Sequence, residues 1–362
     1  MGCFARTFFR MLLLAALFPL LSASCSAGAE SYCDAVAMYG GGDGSAILSK
    51  DGKRSFLLLP VAEFPFFVEE CVPSWCVKSP GGSPFVVLVR TGDSEGMNDW
   101  LLAGEWGCMA DEGEVRAIIG ESGVGGGFSG LFENGSAKVH DDYLTLSKRA
   151  DRVQLMFAFA GDGGGFSSAA LAVSSKRGDR KLRLYEKSPV GKPVSLSVPF
   201  RSQGWEDRRI AGHICSVVST ATVMDYYGVD VGTAELAALA YDPRRDMYGM
   251  WWRAVQSAAQ YGFTGLVRHF RSLDDAREII EGGSPVIACI AFGPNELAGS
   301  ATEESEGHVV VVVGFDENGD VMCADGAFRK EEDGLLVYRR AEFERAWFIN
   351  GGGIGYLIAP GP

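Results

Sequence analysis

A chain of 362 residues is longer than one typical domain and suits two, each large enough to bury its own core. Hydrophobic residues make up 47% and charged residues 22%, a globular balance that excludes a mostly disordered chain. The formal charge of -13 speaks against a nucleic-acid partner, because phosphate binding needs clustered Lys and Arg and an acidic surface repels polyanions.

Residues 1–29 read as an export signal. Arg6 and Arg10 supply the positive flank, and Met11 to Leu21 form an apolar run too short to span a bilayer, which takes about 20 residues. Two processing sites compete. Cys25 after Ser22-Ala23-Ser24 fits a relaxed lipobox, whose cysteine would carry a lipid anchor, while Ala27-Gly28-Ala29 is an A-x-A cleavage site before Glu30. The expected location is extracytoplasmic: secreted, periplasmic or lipid-anchored at the cell surface, with the membrane touched only through that anchor.

Residues 31–190 read as an all-β, sandwich-like accessory domain: short strands separated by glycine clusters such as Gly40-Gly41-Gly42 and Gly125-Gly126-Gly127, with no sustained helical period. The clearest strand is Arg152 to Ala160, where Val153, Leu155, Phe157 and Phe159 alternate with Gln154, Met156 and Ala158; Pro84 to Val89 and Ser168 to Ser174 are others. Several short strands need a second sheet to cover their apolar faces. Cys33, Cys71, Cys76 and Cys108 lie here; an oxidising compartment allows three pairings among them, and disulfide or buried thiol are the two readings for Cys71 and Cys76. Metal-ligand spacing is lacking among these cysteines and among His140, His213 and His269, so neither metal nor cofactor is expected.

The polar stretch Lys176 to Lys181 and Ser188 to Pro193 mark a boundary, after which residues 195–362 alternate helix and strand, an α+β pattern. Cys215 to Tyr227, stopped by Gly228, is helical, as are Thr233 to Tyr241, Met250 to Tyr261 and Leu273 to Glu281. Pro285 to Phe292 and His308 to Phe315 are apolar runs suited to buried strands. His308 opens the run Val309 to Val313, a rigid platform for a base. That strand turns through Asp316-Glu317-Asn318-Gly319 and returns as Asp320 to Asp325. Side-chain parity puts His308 and Asp325 on one face; a strict two-residue turn would displace them along the strands, so a wider loop or a bulge is expected.

Such an Asp holds an imidazole in the right tautomer and stabilises its charged form. The nucleophile comes from elsewhere. Cys215 opens a helix whose N-terminal dipole favours thiolate, and Gln203 upstream is placed to supply an oxyanion donor. Taken singly, a cysteine at a helix start is more often buried packing and a strand histidine more often structural. Cys289, inside Val286 to Ile290, reads as core. Cys323 shares a face with Asp325 and is a candidate for lining the site, but lacks the helix dipole.

Three separated motifs decide between these readings. Val198-Pro199-Phe200-Arg201-Ser202-Gln203, Gly212-His213-Ile214-Cys215-Ser216 and Met224-Asp225-Tyr226-Tyr227-Gly228 resemble the peptidase C thirty-nine-like family, relatives of bacteriocin-processing proteases in the papain-like clan. Gly307-His308, Gly314-Phe315-Asp316, Gly319-Asp320-Val321 and Asp325 resemble its second motif, and Tyr338 to Trp347 with Gly353 to Leu357 its tail. The resemblance implies a papain-like fold in which Gln203 is the oxyanion residue, Cys215 the nucleophile, His308 the base and Asp325 the orienting acid. Two positions depart from the pattern: Ser216-Val217 follows the nucleophile in place of Gly-Pro or Ser-Pro, and Gly326 follows the acid in place of Pro.

The expected substrate is a peptide, a protein or another amide, with acidic Thr302 to Glu306 as a rim that discriminates by charge. The β-domain is a candidate holder of a cell-wall or carbohydrate ligand, to which exposed tryptophans would supply stacking faces, although core packing is the commoner role of such residues. Two rivals stand beside hydrolysis: amidase or acyl-transfer chemistry through the same thioester, and a non-catalytic surface-binding protein of the same fold.

Overall fold

The computed structural model describes residues 22–25 (backbone), 33–48, 53–79, 82–161, 165–175 and 190–361. The rest of the expected leader and the expected linker from 176 to 189 lie outside them. The chain divides into two compact units after Arg177.

The first unit contains β1 Ser22–Cys25, β2 Cys33–Gly40, β3 Ser45–Leu48, β4 Arg54–Leu58, β5 Ala62–Glu63, β6 Glu70–Lys78, β7 Phe85–Asp93, β8 Gly96–Met97, β9 Leu101–Trp106, β10 Ala137–Val139, β11 Leu144–Leu146, β12 Arg152–Ala160 and β13 Gly165–Ser174. They form two sheets, ordered β1-β2-β13-β6-β11-β10 and β3-β4-β12-β7-β8, with β5 added to β12 and β9 to β7. Trp75 of β6 meets Phe157 of β12 edge-on at 6.2 Å, so the sheets face each other across an aromatic layer.

The unit is not all-β, however: Glu112–Ser122 is a helix, α1. It buries Val115, Ile118, Ile119 and Ser122, the i, i+3, i+4, i+7 set of one helical stripe. Three of these pack with Met156 and Ala158 of β12, which is why the alternation predicted for β12 leaves neither face wet. The helix was hidden by its brevity and by Gly113 and Gly120; its start signal, Asp111 accepting from the Glu114 N–H at 2.8 Å, was present.

For Cys71 and Cys76 the buried-thiol alternative holds over mutual pairing, and for the tryptophans the core-packing reading holds over sugar stacking. Cys71, Cys76 and Cys108 are thiols, and Cys33 is disulfide-bonded to none of them, so the four do not pair among themselves. Trp75, Trp100 and Trp106 are core residues. A carbohydrate ligand of this unit would therefore find no exposed tryptophan to stack on.

The second unit runs β14 Val194–Ser195, α2 Cys215–Tyr226, α3 Thr233–Ala240, α4 Trp251–Ala259, β15 Phe263–His269, α5 Leu273–Glu281, β16 Val286–Phe292, β17 Ser305–Phe315, β18 Val321–Ala324, α6 Glu331–Gly334, β19 Leu335–Tyr338, α7 Arg340–Glu344 and β20 Ile354–Pro360. Its antiparallel sheet is ordered β15-β20-β16-β17-β18-β19, with β14 on β17. Val310 and Val312 of the valine run lie in a core with Tyr338, Phe343, Trp347 and Phe348. The valine run thus does what its composition requires and holds the strand that carries His308 in a rigid, dry place. No helix among the described residues is long and apolar enough to cross a membrane.

The β17–β18 connection contains both of the features expected as alternatives, a wider loop and a bulge. The turn spans Asp316 to Asp320, whose backbone N–H groups at Asn318 and Asp320 donate to Asp316 Oδ1 at 2.9 Å. Pairing then shifts by one residue between Val312 and Gly314. Val311 is level with Ala324, which puts Asp325 beside Val310 and diagonal to His308.

Candidate active site

Cys215 is the first residue of α2. Ile214 at the cap offers no side-chain acceptor and the first turn has no acid, so the free N–H groups and the positive end of the helix dipole face the sulfur. The thiol is half-buried and hydrogen-bonded to His308. On its other side, His308 Nε2 donates to Asp325 Oδ1 at 2.7 Å. Asp325 is 1% exposed and is held in place by two more donors, the Ala327 N–H at 2.9 Å and the Tyr338 hydroxyl at 2.7 Å.

Electrostatics follow from this chain of donors. Burial raises the Cys215 thiol, but the His308 hydrogen bond and charge, with the Val309 and Ser216 backbone N–H groups, outweigh it, and the net shift is downward. Desolvation likewise pulls the His308 imidazolium down, yet the Asp325 carboxylate and the Cys215 sulfur raise it overall. Burial pushes Asp325 up; His308, Ala327 and Tyr338 bring it below its ordinary value. Each net shift favours the charged form of its group, the direction that a thiolate–imidazolium pair backed by a carboxylate requires.

Gln203 begins the short 3-10 turn Gln203–Trp205. Its N–H donates to the Gly326 carbonyl at 2.9 Å, tying the turn to the residue after Asp325. Arg329 tightens the tie, donating to the Gly204 carbonyl at 3.0 Å and accepting from the Trp205 indole at 2.8 Å. The Gln203 Oε1 is buried without a hydrogen-bond partner, a cost that structural glutamines rarely carry.

The sequence of residues 195–353 matches the model of the "Peptidase_C39 like family". Residues 195–353 belong to that family. The domain has the papain-like cysteine peptidase fold, as the sequence resemblance implied. Two solved structures are similar. One is the crystal structure of a double glycine motif protease from an AMS/PCAT transporter in complex with the leader peptide, 20% identical, covering 47% of this chain and 98% of that one at a TM-score of 0.32. The other is the peptidase domain of Streptococcus ComA, a bi-functional ABC transporter involved in a quorum sensing pathway, 17% identical, with the same coverages and a TM-score of 0.30. None of the curated proteins matches the chain.

Within this C thirty-nine-like domain, the departure at Gly326 has a steric cause. A Cβ there would stand 2.6 Å from Val218 Cγ1 on α2 and 3.1 Å from the Arg201 carbonyl, so α2 and the loop after Asp325 approach more closely than a proline allows. At the other departure, Ser216 is buried and its N–H serves the sulfur.

Tyr338 was not anticipated as a site residue, although it opens the quoted tail motif. Its role depends on β19, a four-residue edge strand too short to announce itself. Cys323, expected to border the site, is 1% exposed within the core, its thiol raised well above the ordinary value by burial and by the Asp325 charge.

Proposed function

We propose that the protein is a cysteine peptidase that cleaves peptide or amide bonds through an acyl-enzyme. In this reading Cys215 is the nucleophile, His308 the base and later the acid, and Asp325 the group that orients and charges the imidazole. The observation that carries it is the unbroken line from the Cys215 thiol through His308 to Asp325, the last link 2.7 Å long.

The thiolate attacks the acyl carbon, and negative charge moves to the carbonyl oxygen. The Cys215 N–H at the head of α2 and the Gln203 side-chain amide stabilise it. His308 gives its proton to the leaving amine, and water, deprotonated by His308, releases the acyl group and restores the thiolate. Glu303, Glu304 and Glu306, all exposed just ahead of His308, favour basic substrates over neutral or acidic ones. The protein acts outside the cytoplasm, exported by its N-terminal signal.

The test is a thiol-directed activity probe together with products from a peptide library. Labelling of the wild type should vanish in Cys215→Ala and weaken in His308→Ala, and peptides should be cut by the wild type alone. A reduced wild type that neither labels nor cleaves would replace the peptidase with a binding protein of the same fold.

A further inference from the structure

The edge of β17 nearest the sulfur is unusual in what covers it. On one side β17 pairs with β16 from Val312 back to Ser305. On the other, β18 ends at Ala324 opposite Val311, and among the described residues no strand continues beside Val309. Helix α2 takes the vacant place. The Ser219 hydroxyl donates to the Val309 carbonyl at 3.1 Å.

Ser219 lies four residues after Cys215, one turn along the same helix face. The Val309 N–H is directed at the Cys215 sulfur. Both backbone groups of one strand residue are thereby satisfied by one helix face, and that residue is the immediate neighbour of His308. A buried helix serine ordinarily turns its hydroxyl back onto its own helix, as Thr220 does to the Ser216 carbonyl at 2.8 Å. Ser219, 2% exposed, sends its hydroxyl to the strand instead.

We propose that Ser219 is a positioning residue that sets the separation of nucleophile and base, by pinning Val309 to α2 one turn below Cys215 where the sheet has no further strand. The inference rests on the peptidase reading, since it concerns how Cys215 and His308 meet. Without the pin, packing still holds the helix against the strand, but Val309 loses its fixed aim at the sulfur.

The test needs no substrate. In the full chain, iodoacetamide alkylation of Cys215 is followed by peptide mass spectrometry across pH in wild type, Ser219→Ala and Ser219→Thr. Ser219→Ala should slow alkylation at neutral pH by about three- to tenfold, the worth of one buried hydrogen bond, and move the midpoint of the profile upward. Ser219→Thr, which keeps the hydroxyl, should restore both. An alanine profile that superimposes on wild type, even with a lower melting temperature, would make Ser219 merely structural and overturn the proposal, as would a threonine variant that behaves like alanine. A wild-type profile like that of an ordinary thiol would instead sink the peptidase reading, and this proposal with it.

Discussion

Two cysteines border the His308–Asp325 pair, Cys215 at the mouth of α2 and Cys323 within β18, and burial raises both thiols. At Cys215 the imidazolium and two backbone N–H groups reverse that effect; at Cys323 the nearest charge is the Asp325 carboxylate, which adds to it. Desolvation is common to the two and so cannot set them apart. The difference is made by which groups point at each sulfur: donors at a helix start, a like charge in a strand interior.

The sharpest way to break this comparison is to remove each sulfur in turn. Cys215→Ala should lower peptide cleavage on the order of 10³-fold or more. Cys323→Ala should leave cleavage within about twofold and cost about 1 kcal/mol in denaturant unfolding, the effect of a small cavity. Loss of probe labelling in Cys323→Ala would reverse the assignment.

Asp325→Asn comes next. It preserves the shape but removes the charge that raises His308, and cleavage should fall by roughly 10²- to 10⁴-fold while the protein stays folded by circular dichroism.

The pH dependence sharpens the contrast between the thiols. Since Cys215 is lowered and His308 raised, the ion pair exists between their two titrations, and kcat/KM should be bell-shaped. Its acid limb, from protonation of the thiolate, falls below the usual thiol value of about 8.5. Its alkaline limb, from loss of the imidazolium proton, falls above the usual histidine value of about 6.5. Cys323 should resist alkylation throughout until the protein unfolds. The same shifts predict stability: the depressed Asp325 contributes above its unfolded value of about 3.9, and that contribution is lost as pH falls through the lower folded value. The raised His308 contributes fully below about 6.5 and loses that contribution as pH rises through its folded value. Urea midpoints across pH would read both.

Gly326→Ala tests the close approach of α2 to the loop after Asp325. Its Cβ has no room beside Val218, so unfolding should cost about 1–3 kcal/mol less and cleavage should drop with the displaced turn at Gln203. A smaller loss, above only that of Cys323→Ala, is expected from Tyr338→Phe. Removing one of the three donors to Asp325 should slow cleavage about three- to tenfold with KM unchanged and shift the alkaline limb.

Local chemistry made much of this legible before any coordinates. The valine run after His308 suited a buried strand, and the displacement that a two-residue turn would impose already called for a wider loop or a bulge, such as the one between Val312 and Gly314. Helix α2 runs Cys215–Tyr226, close to the span 215–227 expected from the stop at Gly228. Helix α1 was less legible because eleven residues with two glycines give a weak period, and its burying surface is a β-sheet that no local window contains. Tyr338 was invisible as an Asp325 partner for a related reason: the hydrogen bond exists only because β19 is the third strand of a ladder that begins at β17.

By itself the order of residues determined which elements form and which side chains carry reactive groups, because helix starts, strand alternation and turn chemistry are interactions over a few neighbours. Only the tertiary structure decided which thiol is lowered and which raised, what holds Asp325, and why glycine follows it. Those outcomes depend on distances between segments far apart in the chain, and a hydrogen bond or a steric clash is settled within fractions of an ångström.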